Sequence, residues 1–466
     1  MLGIVPAAFV FACHNGPILP PADDIVEGRA TGVVPDTVDE AATVSLDPNH
    51  FVLRPRTSAT RNFWQDISSL DIANAEKSAR NVDERTFALA LRTLMASDPE
   101  GAAVAFGALH TSAFDPLVRS RARIGLTMAL SWTSDWPALS TIGADPDTVS
   151  SGDTLAVHAA VERWAHAFAN LPSPTIQVPD LPVTLPLKRS AFGTPIIEVM
   201  VNGHRHEFWL DTGASMTLLS LNVAMQSGVK LASTDTLALG VVAGHIPARA
   251  VVIDSLSIGP IVARGLSAAL VNEGVLRLDH RIVNGIMETV QIDGVIGTDV
   301  LRQLDLVIDA AAGTITIRRP RRDPNLARNM YWVGYPVVRL ITRDGGSALF
   351  GLDTGAEGTY LTTSLLKKQP QTPVAMRRGS IGGLGTEEHR TEWVARSISL
   401  SDGDYTMTLR NIPVAPERRW TFMNFDGVIG SDLALNSRLH LDFVNGVFDL
   451  RKSSNAEKGV GVTIGH

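Results

Sequence analysis

The chain has 466 residues, 45% hydrophobic and 19% charged, the balance of a protein that buries an ordinary core. Lys plus Arg number 41 and Asp plus Glu 48, a formal charge of −7, so there is no basic field for nucleic acid or for an anionic membrane surface. A single cysteine excludes an internal disulfide framework and a Cys-based zinc site, and no run of 18 or more apolar residues follows the first dozen positions, which excludes a polytopic helical membrane protein.

At roughly 150 residues per domain the length implies about three domains. MLGIVPAAFVFAC opens the chain, an apolar run leading into Cys13 and the turn-rich HNGPILPPADD. The run suits the core of an export signal and is too short to span a bilayer. VFAC resembles a bacterial lipoprotein cleavage box, in which a Cys after a small residue, here Ala12, is acylated. Cys13 is therefore a candidate lipid anchor, which would make the protein periplasmic or membrane-anchored. The other reading is an unstructured apolar N-terminus with an incidental Cys. Residues 1–56 are assigned to this segment and a flexible tail.

Residues 57–171 form a helical region. ERTFALALRTLMA (84–96), PEGAAVAFGALHT (99–111), PLVRSRARIGLTMALSW (116–132) and DTLAVHAAVERWAHAFANL (153–171) repeat apolar residues at helical spacing. Asp98-Pro99 and Asp115-Pro116 are cap-plus-first-position starts, because Pro there sacrifices no hydrogen bond. Short helices with brief turns imply antiparallel hairpins, loosely similar to tetratricopeptide-type repeats. Such a region can dock a protein partner or the substrate, inhibit as a pro-segment, or be a packed appendage.

PSPTIQVPDLPVTLPL (172–187) carries five prolines and ends the helical pattern. Beyond it lies β-rich sequence with an internal duplication, assigned to units 172–320 and 328–453 and a tail 454–466. GTPIIEVMVNGHRHEFWLDTGASMTLLS (193–220) matches GYPVVRLITRDGGSALFGLDTGAEGTYLT (334–362), which sets Asp211 and Asp353 142 positions apart. DGVIGTDVLRQLDLVIDAAAGTITIRR (293–319) matches DGVIGSDLALNSRLHLDFVNGVFDLRK (426–452) at a spacing of 133. The nine-residue difference falls between the two motifs, where a loop or flap belongs.

At these residues the chain resembles aspartic peptidases, specifically the retropepsin-like group and its bacterial relatives. That family pairs an apolar-Asp-Thr-Gly-Ala loop with a later apolar-apolar-Gly segment in each lobe. The loops here are Leu210-Asp211-Thr212-Gly213-Ala214 and Leu352-Asp353-Thr354-Gly355-Ala356, and the paired segments are Val295-Ile296-Gly297 and Val428-Ile429-Gly430. The resemblance implies that the helical region precedes two all-β lobes of six to eight strands each, related by a pseudo-twofold axis, with the loops meeting at the junction. It implies an aspartic endopeptidase acting on a peptide or protein, with Asp211 and Asp353 as the catalytic pair and no cofactor or metal. Thr212 and Thr354 would bond across to the opposite loop, Gly213 and Gly355 would permit close backbone approach, and Ala214 and Ala356 would keep the cleft floor small. Two readings of the same cleft stay open beside it: a silent peptide-binding module, and a zymogen covered by its helices.

Such chemistry needs a water activated by a base and a carbonyl polarised by an acid. Two carboxyls sharing one proton supply both, because like charges about 3 Å apart cannot ionise together. The two protonation steps belong to the pair. Both loops lie in one chain, and the stretch from Arg318 to Met330 is long enough to let the lobes dock, so one site per chain is expected. Glycine-rich flaps are expected at Gly382, Gly383 and Gly385 in the second copy and at Gly240 and Gly244 in the first. His204 and His206 follow the turn Asn202-Gly203 and read as solvated turn histidines. RRPRRD (318–323) reads as an exposed linker. Asp299, Asp309, Asp432 and Asp442 read as turn or strand-end aspartates that accept backbone amides. Ser215 follows one loop and Glu357 the other, which implies unequal pockets.

Overall fold

Asp98 and Asp115 each accept a first-turn backbone N–H, from Gly101 at 3.0 Å and Leu117 at 2.8 Å, while Pro99 and Pro116 hold the first helical position. The helices that precede the β-rich sequence span Phe63–Ser68, Ile72–Ser78, Val82–Met95, Pro99–Ser112, Pro116–Thr133, Trp136–Leu139 and Gly152–Phe168. The computed structural model describes residues 42–48, 62–142, 152–191, 193–241, 244–281, 287–383, 386–420, 422–434 and 437–453. Cys13, Gly385 and the 454–466 tail lie outside these residues. Among the described residues no helix is long and apolar enough to cross a membrane.

The helical region is built into both β-rich halves of the chain. Phe63, Ile67, Phe87, Leu91 and Phe106 share one continuous apolar core with Phe422, Met423 and Phe425. Phe87 stands edge-on to Phe106 at 5.4 Å and to Phe422 at 5.6 Å, and Trp132 meets Trp332 edge-on at 4.9 Å. The last helix serves the other half. Its Trp164 and Phe168 pack with Leu237, Leu239 and Ala248, and Trp164 Nε1 donates to the Ala238 carbonyl at 2.9 Å.

The duplicated sequence gives two sheets of matching order. The first, of ten strands, runs Thr175–Gln177, Ile261–Val271, Leu218–Ser220, Gly294–Ile296, His204–Leu210, Pro195–Val201, Gly244–Ile258, Lys230–Leu231 along its main path. The second, of nine, runs Thr43–Pro48, Tyr405–Ala415, Tyr360–Thr362, Gly427–Ile429, Ser347–Leu352, Pro336–Thr342, Thr386–Ser401, Val374–Gly383. In each, the apolar-Gly segment lies parallel to the strand that leads into the acid loop, with Ile296 beside Leu210 and Ile429 beside Leu352.

Three expectations are corrected. The sheets exceed six to eight strands. The lobes are not separate units divided near residue 320, because Val447–Lys452, Ser437–Asp442, Asp305–Asp309, Thr314–Arg318 and Val183–Pro186 form one five-stranded sheet that takes strands from both. Asp305–Asp309 and Ser437–Asp442 pair antiparallel there, tying the copies by main-chain hydrogen bonds as well as by the covalent linker. The segment 1–56 is not all tail either. Thr43–Pro48 pairs with Tyr405–Ala415 and closes the edge of the second sheet, as Thr175–Gln177 closes the first. Its apolar Val44 and Leu46 alternate with polar residues, and Leu46 is buried.

Arg318 to Met330 crosses between the copies largely exposed, held by Arg319 to the Val178 carbonyl at 3.0 Å and by Arg328 to Ser97 Oγ at 3.0 Å and the Val444 carbonyl at 2.9 Å. Because Phe87 joins helices to the second lobe, Phe87→Ala is expected to lower stability by about 3–5 kcal/mol in chemical denaturation. A loss below about 1 kcal/mol would mean that the helices and the lobe do not share a core.

Candidate active site

Each acid sits where a strand ends at a tight loop beside a parallel strand. Asp211 N donates to the Ile296 carbonyl at 3.1 Å, and Asp353 N to the Ile429 carbonyl at 2.9 Å, so the apolar-Gly segments fix the backbone of both acids. Asp211 Oδ1 accepts from Gly213 N at 2.7 Å and Ala214 N at 3.1 Å. Asp353 Oδ1 accepts from Gly355 N at 3.1 Å and Ala356 N at 3.0 Å. Both carboxyls are buried, and their side chains meet.

The loops cross at the threonines. Thr212 N donates to Thr354 Oγ1 and Thr354 N to Thr212 Oγ1, both at 3.0 Å. Thr212 Oγ1 donates to the Leu352 carbonyl at 2.9 Å, and Thr354 Oγ1 to the Leu210 carbonyl at 2.7 Å. Gly213 and Gly355 are required by proximity. A Cβ on Gly213 would lie 2.4 Å from Asp353 Oδ1, and one on Gly355 would lie 2.4 Å from Asp211 Cγ. Ala214 and Ala356 are buried, and their carbonyls accept Thr298 N at 2.7 Å and Ser431 N at 2.8 Å.

A second tier supports the loops, and Thr217 and Thr359 in it were not singled out from the sequence. Asp299 accepts Thr217 N at 2.9 Å and Thr217 Oγ1 at 3.0 Å, and Asp432 accepts Thr359 N at 2.9 Å and Thr359 Oγ1 at 2.7 Å. Thr217 Oγ1 in turn receives Gly297 N at 3.3 Å, and Thr359 Oγ1 receives Gly430 N at 3.0 Å. The signal was present: each Thr follows its acid by six residues in both copies. Asp309 and Asp442 accept backbone amides of the turns after their strands.

The two candidate flaps are antiparallel hairpins, Leu237–Val241 with Gly244–Ile258 and Val374–Gly383 with Thr386–Ser401. Gly240 pairs with His245, Gly244 with Val241, Gly382 with Glu387 and Gly383 with Thr386. Ser215 and Glu357 differ in setting as well as in kind. Glu357 is exposed, whereas Ser215 lines a cavity of about 30 Å³ shared with Trp136 and Trp164 of the helices and with Arg302. The histidine expectation is half corrected. His204 is exposed, but His206 is buried, because its strand turns it inward, with Nε2 2.9 Å from Ser227 Oγ.

Burial pushes the Asp211 carboxyl well above the usual range, and the charge of Asp353 adds to that. Burial raises Asp353 too, against the amides of Ala356 and Gly355. Asp299 is pushed up to about 6 by burial, against its bonds to Thr217. An acid raised in the folded state contributes stability below its unfolded value and loses it as pH rises through the folded value. Asp211→Asn is therefore expected to raise the melting temperature over the parent near pH 7, with the gap closing toward about pH 4. A gap that widened toward acid would contradict the geometry.

Residues 197–300 match the aspartyl protease family. No curated protein matches the chain. Among the solved structures that align with it are two aspartic proteases. One is a retropepsin-like aspartic protease from Rickettsia conorii, 18% identical, covering 31% of this chain and 93% of that one, with a TM-score of 0.20. The other is an aspartic proteinase from Irpex lacteus, 12% identical, covering 60% of this chain and 99% of that one, with a TM-score of 0.37. The family match runs through the first acid loop, Thr217, the Gly294–Ile296 strand and Asp299, the parts that build one half of the site. Residues 197–300 are thus similar to the aspartyl protease family, and the acid motif within that stretch is repeated at 352–356.

Proposed function

We propose that the protein is an aspartic endopeptidase that hydrolyses peptide bonds with the Asp211–Asp353 pair of a single chain. The observation that carries this reading is the reciprocal threonine crossing, which holds two buried carboxyls side chain to side chain. In the reaction the ionised carboxyl takes a proton from water as the water oxygen bonds to the substrate carbonyl carbon. The protonated carboxyl gives its proton to the carbonyl oxygen, forming a gem-diol. The protonated carboxyl then gives its proton to the amide nitrogen while the other takes a proton from a gem-diol hydroxyl, so that the C=O bond re-forms as the C–N bond breaks and the pair is left sharing one proton again. No covalent intermediate is required. The two hairpins serve as flaps over the bound peptide.

The helices act as scaffold in this reading. Phe87 and Trp164 stand in the cores of the two lobes, an arrangement that favours a permanent part of the fold over a detachable pro-segment. Cleavage of denatured protein from acidic to neutral pH tests the activity itself. Asp211→Asn and Asp353→Asn are each expected to abolish it, and mixing the two variants to restore little. If each copy instead paired with its twin in a second chain, each variant would keep about half the activity. That result would overturn the single-chain pair.

A further inference from the structure

Tyr335 and Gly351 form a pair that the first copy lacks. Tyr335 is the middle residue of GYP at 334–336, where the first copy has GTP at 193–195 and places Thr194. Gly351 stands two residues before Asp353, and its counterpart before Asp211 is Trp209. The sizes exchange together: large Trp209 with small Thr194 in one lobe, absent side chain at Gly351 with large Tyr335 in the other. The exchange is steric. A Cβ on residue 351 would lie 2.8 Å from Tyr335 Cε1, so the ring occupies space that only glycine leaves open.

Tyr335 is fully buried, with Phe425 tilted against its ring at 6.1 Å. Its hydroxyl hydrogen-bonds Asp353, and the other titratable groups that act on it are Tyr360 and Asp211. Burial and the nearby acids keep the phenol protonated well above its ordinary range, so toward Asp353 it can only donate. In the first copy Thr194 stands at this position, and its buried Oγ1 has no hydrogen-bond partner among the described residues.

We propose, on the peptidase reading above, that Tyr335 is a positioning residue whose hydroxyl donates to Asp353 and thereby makes the two acids unequal. Asp353 is the carboxylate that takes the proton from water, and Asp211 carries the shared proton. A donor aimed at one carboxylate stabilises the single-anion state in which that carboxyl is ionised. It therefore widens the pH range of the working state at its acid end. It leaves the alkaline end nearly unchanged, because Asp353 is ionised on both sides of the second step.

Tyr335→Phe keeps the ring and removes only the hydroxyl. The acid limb of its kcat/KM profile is expected to move upward by about one pH unit with the alkaline limb in place. A merely structural role would lower activity without moving one limb alone, and that outcome overturns the proposal. Carboxyl-carbon NMR titration of Asp-labelled protein reads the same assignment without turnover. In the wild type the lower of the two steps of the pair should fall mainly on Asp353, and a lower step on Asp211 overturns the proposal even if Tyr335→Phe fails to fold. Absence of any cleavage would sink the peptidase reading, while the NMR titration would still decide the role of Tyr335.

Discussion

Thr212 and Thr354 each give an amide to the other's hydroxyl and a hydroxyl to the last carbonyl of the opposite strand. All four bonds are buried, so neither loop can satisfy its polar groups unless the other is in place. That mutual dependence is the constraint on which the site rests. It forces two carboxyls together in a low-dielectric setting, where burial raises the affinity of both for a proton and the charge of Asp353 raises that of Asp211 further. The surroundings bear the cost. Backbone amides stabilise one oxygen of each acid, and Asp299 and Asp432 hold the loops from beneath through Thr217 and Thr359. The five-stranded sheet shared by both copies keeps the halves in register from a second direction.

Duplication explains the frame, and divergence explains the asymmetry. Asp293 and Asp426 occupy equivalent positions and accept equivalent amides, from Glu207 at 3.1 Å and from Leu349 at 2.8 Å. Yet Asp426 is buried with Lys368 at 2.6 Å and Ser364 at 2.9 Å, while Asp293 is partly exposed beside His206. The hairpins differ too, since Trp164 of the last helix holds the first at Ala238. A chain with two copies can let one drift while the other keeps the shared geometry, an option closed to a site made from two identical chains.

The acid loops, their crossing threonines and the paired apolar-Gly strands were legible in the sequence because each stands twice in fixed spacing, and the central strands of the two sheets repeat in the same order. The capped helix starts at Asp98 and Asp115 were legible because capping is local. What escaped depends on long-range pairing. Thr43–Pro48 is six residues long and finds its partner strand more than 350 residues away, and no local pattern distinguishes such an edge strand from tail. The shared sheet escaped for the same reason. Its strands alternate as any strand does, and pairing between copies leaves no mark in either copy. His206 was misread because its alternation with exposed His204 was outweighed by the nearby turn. The exchange of Trp209 with Gly351 was visible in the aligned repeats, but its meaning depends on where Tyr335 points.

On the proposed peptidase reading, the buried pair holds a tetrahedral, proton-sharing species rather than a peptide as such. Calorimetric binding of a statine-type transition-state analogue against a plain peptide isostere of the same sequence tests it most directly. The intact chain should bind the analogue about 100-fold or more tightly than the isostere, and the preference should vanish in both Asp211→Asn and Asp353→Asn. Equal affinities in the intact chain would contradict the claim and leave a cleft that binds peptide without working on it.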